Sequence, residues 1–240
     1  MKYVLPVLLT VMSGYIAAEM SADEFVKHID GFRGYQDKGF SFSVVNISYR
    51  PDKEPRQNQL QVKVLDDKSL VKFLSPAREK GRAMLKEGKD MWLHIPGTRR
   101  VIRVAPAQRL LGETSNGDVV GIKLHQDYSA KVLGPAENDK EVELLLTAKD
   151  KKSLYYQVKF RVEKDAPYRP VKSEFYSLSG KLIKTAFYKE FKSFEGEEKL
   201  HKLLLVDPIQ EGRYTWMMFD NYQEQSLNEN IFQKESLTRL

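Results

Sequence analysis

Phe40-Ser41-Phe42-Ser43-Val44 alternates apolar and polar side chains, and Val45-Asn46-Ile47-Ser48-Tyr49 continues the alternation in the opposite phase. A period of two marks a strand with one buried face. A phase reversal in mid-run is what a β-bulge or a strong bend produces, so the stretch predicts a long strand that bends at Val44/Val45. Further strand patterns follow at 59–65, 69–74, 82–86, 90–95 and 99–104, and then at 123–132, 141–148, 154–163, 171–178, 181–191, 199–206 and 214–222. Turn residues punctuate them: Asp66-Asp67, Glu87-Gly88, Pro96-Gly97, Ser179-Gly180 and Glu195-Gly196. Many strands at such spacing predict a mainly β protein, a meander closed or half-closed into a barrel. No repeat, composition break or Pro-rich linker divides residues 19–240, which read as a single domain.

Upstream of the strands lies one helix signal. Ser21 and Glu24 have the spacing of a capping box, and Phe25, Ile29 and Phe32 form an apolar stripe that Gly31 and Gly34 bring to an end. Residues 105–118, with Leu110-Leu111 among Gly, Ser, Asn and Thr, fit a loop or a short helix. The tail, 227–240, fits a short helix or an extended strand that packs back through Ile231, Phe232, Leu237 and Leu240.

The first eighteen residues speak to compartment. Lys2 precedes an apolar run from Val4 to Val11, and Ile16-Ala17-Ala18 offers a cleavage site, so 1–18 read as a signal peptide; an uncleaved anchor is the alternative. Export to the periplasm follows. The chain has no cysteine, which excludes disulfides, zinc–thiolate sites, cysteine nucleophiles and lipid attachment at cysteine. With 30% charged residues and a net charge of +6 spread along its length, the protein suits peripheral contact with an anionic membrane surface. No nucleic-acid-reading motif is present, and nucleic acid is set aside as a partner.

Catalytic chemistry finds little footing. His28, His94, His125 and His201 stand apart, none in a metal-ligand spacing, with His28 on the polar side of the helix and the others in strand patterns. Glu141 and Glu143 alternate with Val142 and Leu144, as on a solvated strand face. No nucleophile elbow, phosphate loop or dinucleotide fingerprint occurs. The expectation is a protein that is not an enzyme, with no catalytic residue, no metal and no cofactor.

What remains is apolar surface. Tyr156, Val158, Phe160 and Val162 share one strand face, whereas 203–206 and 214–219 are apolar on both faces. Strands of the second kind need a second cover or a greasy cavity, and Met217 and Met218 suit a cavity that adapts to its guest. Periodicity does not separate a dry core from a dry pocket. The candidate lining is Phe25, Ile29, Phe40, Phe42, Trp92, Tyr156, Val158, Phe160, Trp216 and Met218. Arg99, Arg100, Arg103 and Arg109 are candidates for an anionic head group or an acidic partner; a basic edge that discourages aggregation is the plainer reading.

Asp90-Met91-Trp92-Leu93-His94-Ile95-Pro96 followed by Arg99-Arg100-Val101-Ile102-Arg103 resembles the signature of the outer-membrane lipoprotein-sorting proteins, the LolA-like periplasmic carriers. Tyr168-Arg169-Pro170, the 179–185 run, Asp220-Asn221 and the tail agree with it in order and spacing, so the resemblance covers the chain from about Ser21 onward. It implies a half-open, strongly curved antiparallel sheet with short helices as a lid. It also implies lipid or lipoprotein acyl chains as cargo, and an inner-membrane transporter of the resistance-nodulation-division type as partner. Leu111–Asp118 departs from the family pattern in lacking its aromatic, which implies a different cargo contact there and leaves free lipid as open as lipoprotein.

Overall fold

The computed structural model describes residues 20–34, 38–98, 100–121, 123–151 and 153–239. The signal-peptide reading, Arg99 and Leu240 therefore lie outside the described residues. An N-terminal meander runs through β1 (Phe40–Arg50), β2 (Lys53–Leu65), β3 (Lys68–Ser75), β4 (Ala83–Glu87), β5 (Asp90–Ile95) and β6 (Arg100–Arg103). A small hairpin, β7 (Arg109–Leu111) and β8 (Thr114–Ser115), leads into α2 (Asn116–Val120) and α3 (Leu124–Asp127). A second meander follows: β9 (Tyr128–Pro135), β10 (Glu141–Ala148), β11 (Gln157–Glu163), β12 (Pro170–Tyr176), β13 (Leu182–Phe194), β14 (Glu197–Val206) and β15 (Tyr214–Glu224). Helix α1 (Ala22–Phe32) precedes them, and 3-10 turns at Glu229–Phe232 and Lys234–Arg239 close the chain.

The two meanders join where β1 pairs antiparallel with β15, giving a 13-stranded open sheet with β6 and β9 at its edges. Between β6 and β9 a crossing segment joins the two edges, and its Val104, Val119, Val120 and Leu124 pack into the core on the inner face of this sheet. The expected mainly β, half-open architecture is thus observed. So is the capping box: the Ser21 hydroxyl accepts from the Glu24 N–H, and the Glu24 carboxylate accepts from the Ser21 N–H at 2.8 Å. Turns fall at 66–67, 96–97 and 195–196, as their residues predict, and one residue later than expected at 88–89.

The expected bend at Val44/Val45 is not there. β1 keeps unbroken register with β2 from Phe40↔Val64 to Ser48↔Arg56, and its one irregularity against β15 sits between Ser41 and Ser43. The pleat holds its phase. Phe40, Phe42, Val44, Asn46 and Ser48 are all buried on the inner side, while Val45, Ile47 and Tyr49 are half-buried on the outer. What reverses is the polarity of the inner face, apolar at one end of the strand and polar at the other.

Two further expectations change. Residues 123–127 are not strand: the N–H groups of Leu124 and His125 donate to the Asp30 carboxylate, which holds one helical turn before β9 begins. The tail is neither a helix of ordinary pitch nor a strand; its 3-10 turns press Phe232 and Leu237 onto Leu70, Ala83 and Leu85 on the outside of β3 and β4.

The main core lies between the inner face and the segments filling it. Phe25, Val26 and Ile29 of α1, and Val119, Val120 and Leu124 of the crossing segment, pack on Val44, Leu60, Val62, Leu146, Phe160 and Met217 of the sheet. Each such side chain, fully buried, stabilises the fold by about 1.5–3 kcal/mol over its exposed state. The same burial holds the lid down.

Candidate ligand-binding hollow

The two ends of the inner face differ in chemistry. At the apolar end, Phe42 stacks on Phe40 and Tyr222 with ring centroids 5.9 and 5.2 Å away, and Phe194 leans on Tyr222 at 5.2 Å. Gly34, at φ +82°, lets the chain pass over them; a Cβ there would stand 2.8 Å from Phe40 Cε2. A cleft of about 90 Å³ opens among Gly34, Phe40, Phe194, Lys199 and Tyr222, space for about three waters by liquid volume. An outer groove of about 570 Å³ adjoins it past Lys38, Gly39, Leu65 and Leu227.

At the other end the floor is polar. Asn46 Nδ2 donates to Asn58 Oδ1 at 2.8 Å, and the remaining amide atoms, Asn46 Oδ1 and Asn58 Nδ2, find no partner among the described residues. Ser48 and Thr215 lie across from each other on β1 and β15, with Gly112 of the β7–β8 hairpin seated on both. A Cβ on Gly112, whose φ is +56°, would meet Ser48 Oγ at 2.2 Å and Thr215 Oγ1 at 2.3 Å, so only glycine approaches this closely. The Glu113 N–H donates to Thr215 Oγ1 at 2.8 Å.

Beside this contact is an ion pair in the interior. Lys184 follows the inward phase of Ala186 and Tyr188 on β13 and is only 4% exposed. Its ammonium pairs with the Asp118 carboxylate of α2 and donates to the Glu113 carbonyl at 2.9 Å. Asp118 also accepts from the Ser115 N–H and hydroxyl and from the Tyr155 hydroxyl, each at 2.8 Å. Burial pushes the Asp118 carboxyl up, but the Lys184 ammonium and these hydrogen bonds outweigh it and leave the group below the ordinary aspartate value. Burial, together with the Asp118 charge, holds the Tyr155 phenol well above its usual range.

A second buried carboxylate ties the lid to itself. Asp30 of α1 accepts from Leu124 N at 3.1 Å and His125 N at 3.0 Å, and His125 Nδ1 lies 2.7 Å from it. Burial raises this carboxyl above its ordinary value, against the pull of those hydrogen bonds.

The sequence-predicted lining divides accordingly. Phe25, Ile29, Phe40, Phe42, Val158 and Phe160 come together in the main core, with Tyr156 partly buried against it. Trp216 and Met218 do not join them. On β15 the inward residues are Thr215, Met217 and Phe219, so Trp216 and Met218 stand half-buried on the outer face, opposite Ile47 and Val45. Trp92 is also outside, against the tail, with Lys234 Nζ 5.9 Å from its ring centre. Strands apolar on both faces carry no sign of which face is covered, so periodicity does not place Trp216 and Met218. Two of the described candidate arginines already have carboxylate partners: exposed Arg103 on β6 pairs with Asp90, and Arg109 on β7 reaches Glu113 at 3.5 Å. Arg100 is exposed on β6.

Lys184, Asp118, Tyr155, Asn46 and Gly112 were not singled out from the sequence. The usable signal was phase: a lysine in step with Ala186 and Tyr188, and an asparagine in step with Phe42 and Val44.

A family model described as "uncharacterized protein" matches residues 65–239. A LolA-superfamily protein from Nitrosomonas europaea shares the fold with a TM-score of 0.82 and 29% identity, over 90% of this chain and 99% of that one. The chain belongs to the family of that model, and its fold is that of the LolA superfamily. Two further solved structures share the fold. An outer-membrane lipoprotein-sorting protein domain from Vibrio parahaemolyticus gives a TM-score of 0.76 at 23% identity, over 91% of this chain and 98% of that one. A DUF1329 family protein from Desulfovibrio piger gives 0.74 at 18%, over 90% and 97%. No curated protein matches.

Proposed function

We propose that this protein of LolA-superfamily fold is a periplasmic carrier of lipid or lipoprotein acyl chains, loaded into the hollow of its sheet. The observation that carries the reading is what fills that hollow. The apolar inner face is covered by α1 and the 104–127 segment, which belong to no strand of the large sheet, so the lid can leave while the sheet stays whole. Burying an acyl chain in their place stabilises the complex by about 0.8 kcal/mol per methylene, before the entropy of ordering the chain. The aromatic cleft at Phe40 and Tyr222 is where the closed hollow already opens to the surface. The leader-like residues 1–18 support a periplasmic site of action. The sequence resemblance supports an inner-membrane transporter of the resistance-nodulation-division type as the partner that opens the lid.

The test is mass spectrometry of what extracts with the natively purified protein, together with uptake of a fluorescent fatty acid. Co-purifying lipid and saturable uptake are expected. A protein that carries no lipid and takes up none is not a carrier.

One observation favours a second reading, a docking protein. Outward-facing Ile47, Trp216, Leu204 and Phe187 lie in register across β1, β15, β14 and β13, and the tail that covers the outside of β3 and β4 is not packed on them. If docking were the whole function, Trp216→Asp would abolish partner capture, and lipid would be absent from the purified protein.

A further inference from the structure

We propose that Lys184 and Tyr155 form the head-group site of the hollow, and that Asp118 holds it closed by standing where an amphiphile's anionic oxygen head will bind. The inference rests on the carrier reading and adds the class of ligand and its orientation.

The arrangement around Asp118 is that of a captured carboxylate. Lys184 donates to Oδ2 and the Tyr155 hydroxyl to Oδ1, so two donors from outside the lid grip the two oxygens separately. The Lys184 ammonium also lies 5.3 Å from the centre of the Tyr155 ring, and the ring rests against Phe175 at 4.5 Å. Both hydrogen-bond acceptors recorded for Lys184, the Asp118 carboxylate and the Glu113 carbonyl, belong to the crossing segment. If that segment lifts away, the lysine loses both together.

Once an apolar tail has taken the place of the lid the ammonium is buried again, and a buried ammonium without a counter-charge is strongly disfavoured, so loading is opposed at this point. A ligand that brings its own anionic oxygens replaces Asp118 and removes the opposition. A ligand with a neutral head does not. Opening is thereby linked to the charge of the head, because a ligand shifts a conformational equilibrium only by its differential affinity for the two states.

A second observation at the same end of the floor points to a polar guest. Asn46 Oδ1 and Asn58 Nδ2 are unpaired on residues 0% and 1% exposed. They stand one inward position from the row of Ser48, Thr215, Leu205 and Ala186, and Lys184 lies one inward position beyond that row. Toward Phe40 the inner face is apolar. From Ser48 to Phe40 the strand runs eight residues, about 27 Å at the strand rise, which is more than an extended sixteen-carbon tail needs. Head at Lys184, tail toward Phe40 and Tyr222, is the orientation this gradient selects.

The experiment compares palmitate, a lysophosphatidic acid and hexadecanol as competitors of a fluorescent fatty acid, on delipidated protein. The wild type is expected to bind the two anionic ligands at least tenfold more tightly than the alcohol. If only one anion is preferred, the source of the head group, carboxylate or phosphate, is identified. Lys184→Met should bring acid and alcohol to equal affinity. Asp118→Asn, which weakens the internal competitor and so the closed state, should raise the affinity of palmitate and of the alcohol by a similar factor and leave the preference for the acid in place. Equal binding of acid and alcohol by the wild type, or a preference that survives Lys184→Met, overturns the head-group assignment while the carrier reading stands. Failure of all three ligands to bind removes both. The wild-type comparison requires no variant to fold.

Discussion

Asp30 and Asp118 are both buried carboxylates of the lid, yet they do opposite work. Asp30 is met by Leu124 and His125, so its bonds join α1 to α3 and travel with the lid. Asp118 is met by Lys184 and Tyr155, so its bonds join the lid to the sheet side and must break when it opens. Their titration differs in the same sense. Burial dominates at Asp30 and raises its carboxyl, whereas at Asp118 the lysine and the Ser115 hydrogen bonds together outweigh burial and lower it. The difference shows how the lid is built: Asp30 ties it to itself, and the Lys184–Asp118 ion pair helps to register it on the floor. Buried pairs of this kind are poor sources of net stability and strong specifiers of position, because a broken pair leaves a stranded charge.

The largest effect is expected from stranding that charge. Lys184→Met should destabilise the protein by about 3–5 kcal/mol, the range for breaking a buried pair by removing one partner. For a chain of this size that lowers the melting temperature by about 6–20 °C. Lys184→Met combined with Asp118→Leu should recover most of the loss, since an apolar pair of similar volume replaces both charges. A double mutant no more stable than Lys184→Met alone would show that the pair does not act as a unit.

Next comes the fit of the hairpin on the floor. Gly112→Ala places a methyl group 2.2 Å from Ser48 Oγ at a φ of +56°. A loss of about 1–3 kcal/mol is expected from overpacking. Hydrogen exchange should rise in 105–121 and stay slow in β1 and β15. Equal loosening of the sheet would mean that the hairpin is part of the core rather than a cover.

The pH dependence separates the two carboxylates. Asp30, raised by burial, contributes stability below the ordinary aspartate value, and this is lost as pH rises through its elevated folded value. Asp118, lowered, contributes stability above the ordinary value, and this is lost as pH falls through its depressed folded value. Urea midpoints across pH 3–8 should therefore show Asp30→Asn removing a decline toward neutral pH and Asp118→Asn removing a decline toward acid. Identical profiles for the two variants would erase the distinction.

The smallest effect is expected outside. Trp216→Asp on the half-buried outer face should change stability by about 1 kcal/mol or less and leave fatty-acid uptake intact, because the side chain points away from the hollow.

The strands, most turns and the Ser21 cap were legible because each depends on neighbours in sequence. The lid was only partly so: the stripe of Phe25 and Ile29 announced α1, but nothing local announced that 123–127 would turn helical, since the cause is Asp30 some ninety residues earlier. The polar end of the floor was visible as the phase reversal after Val44 and was read as a bend, because alternation reports a change of polarity without saying which face changed. For Trp216 the missing information was which side of a doubly apolar strand the lid would cover.

Hydrogen exchange of the lid during loading bears most directly on this account. With saturating palmitate, the amides of 105–127 should exchange faster than in the empty protein while β1 and β15 keep their protection. A protein that binds palmitate with 105–127 as protected as before, or more so, would contradict a hollow that loads by displacing its own cover.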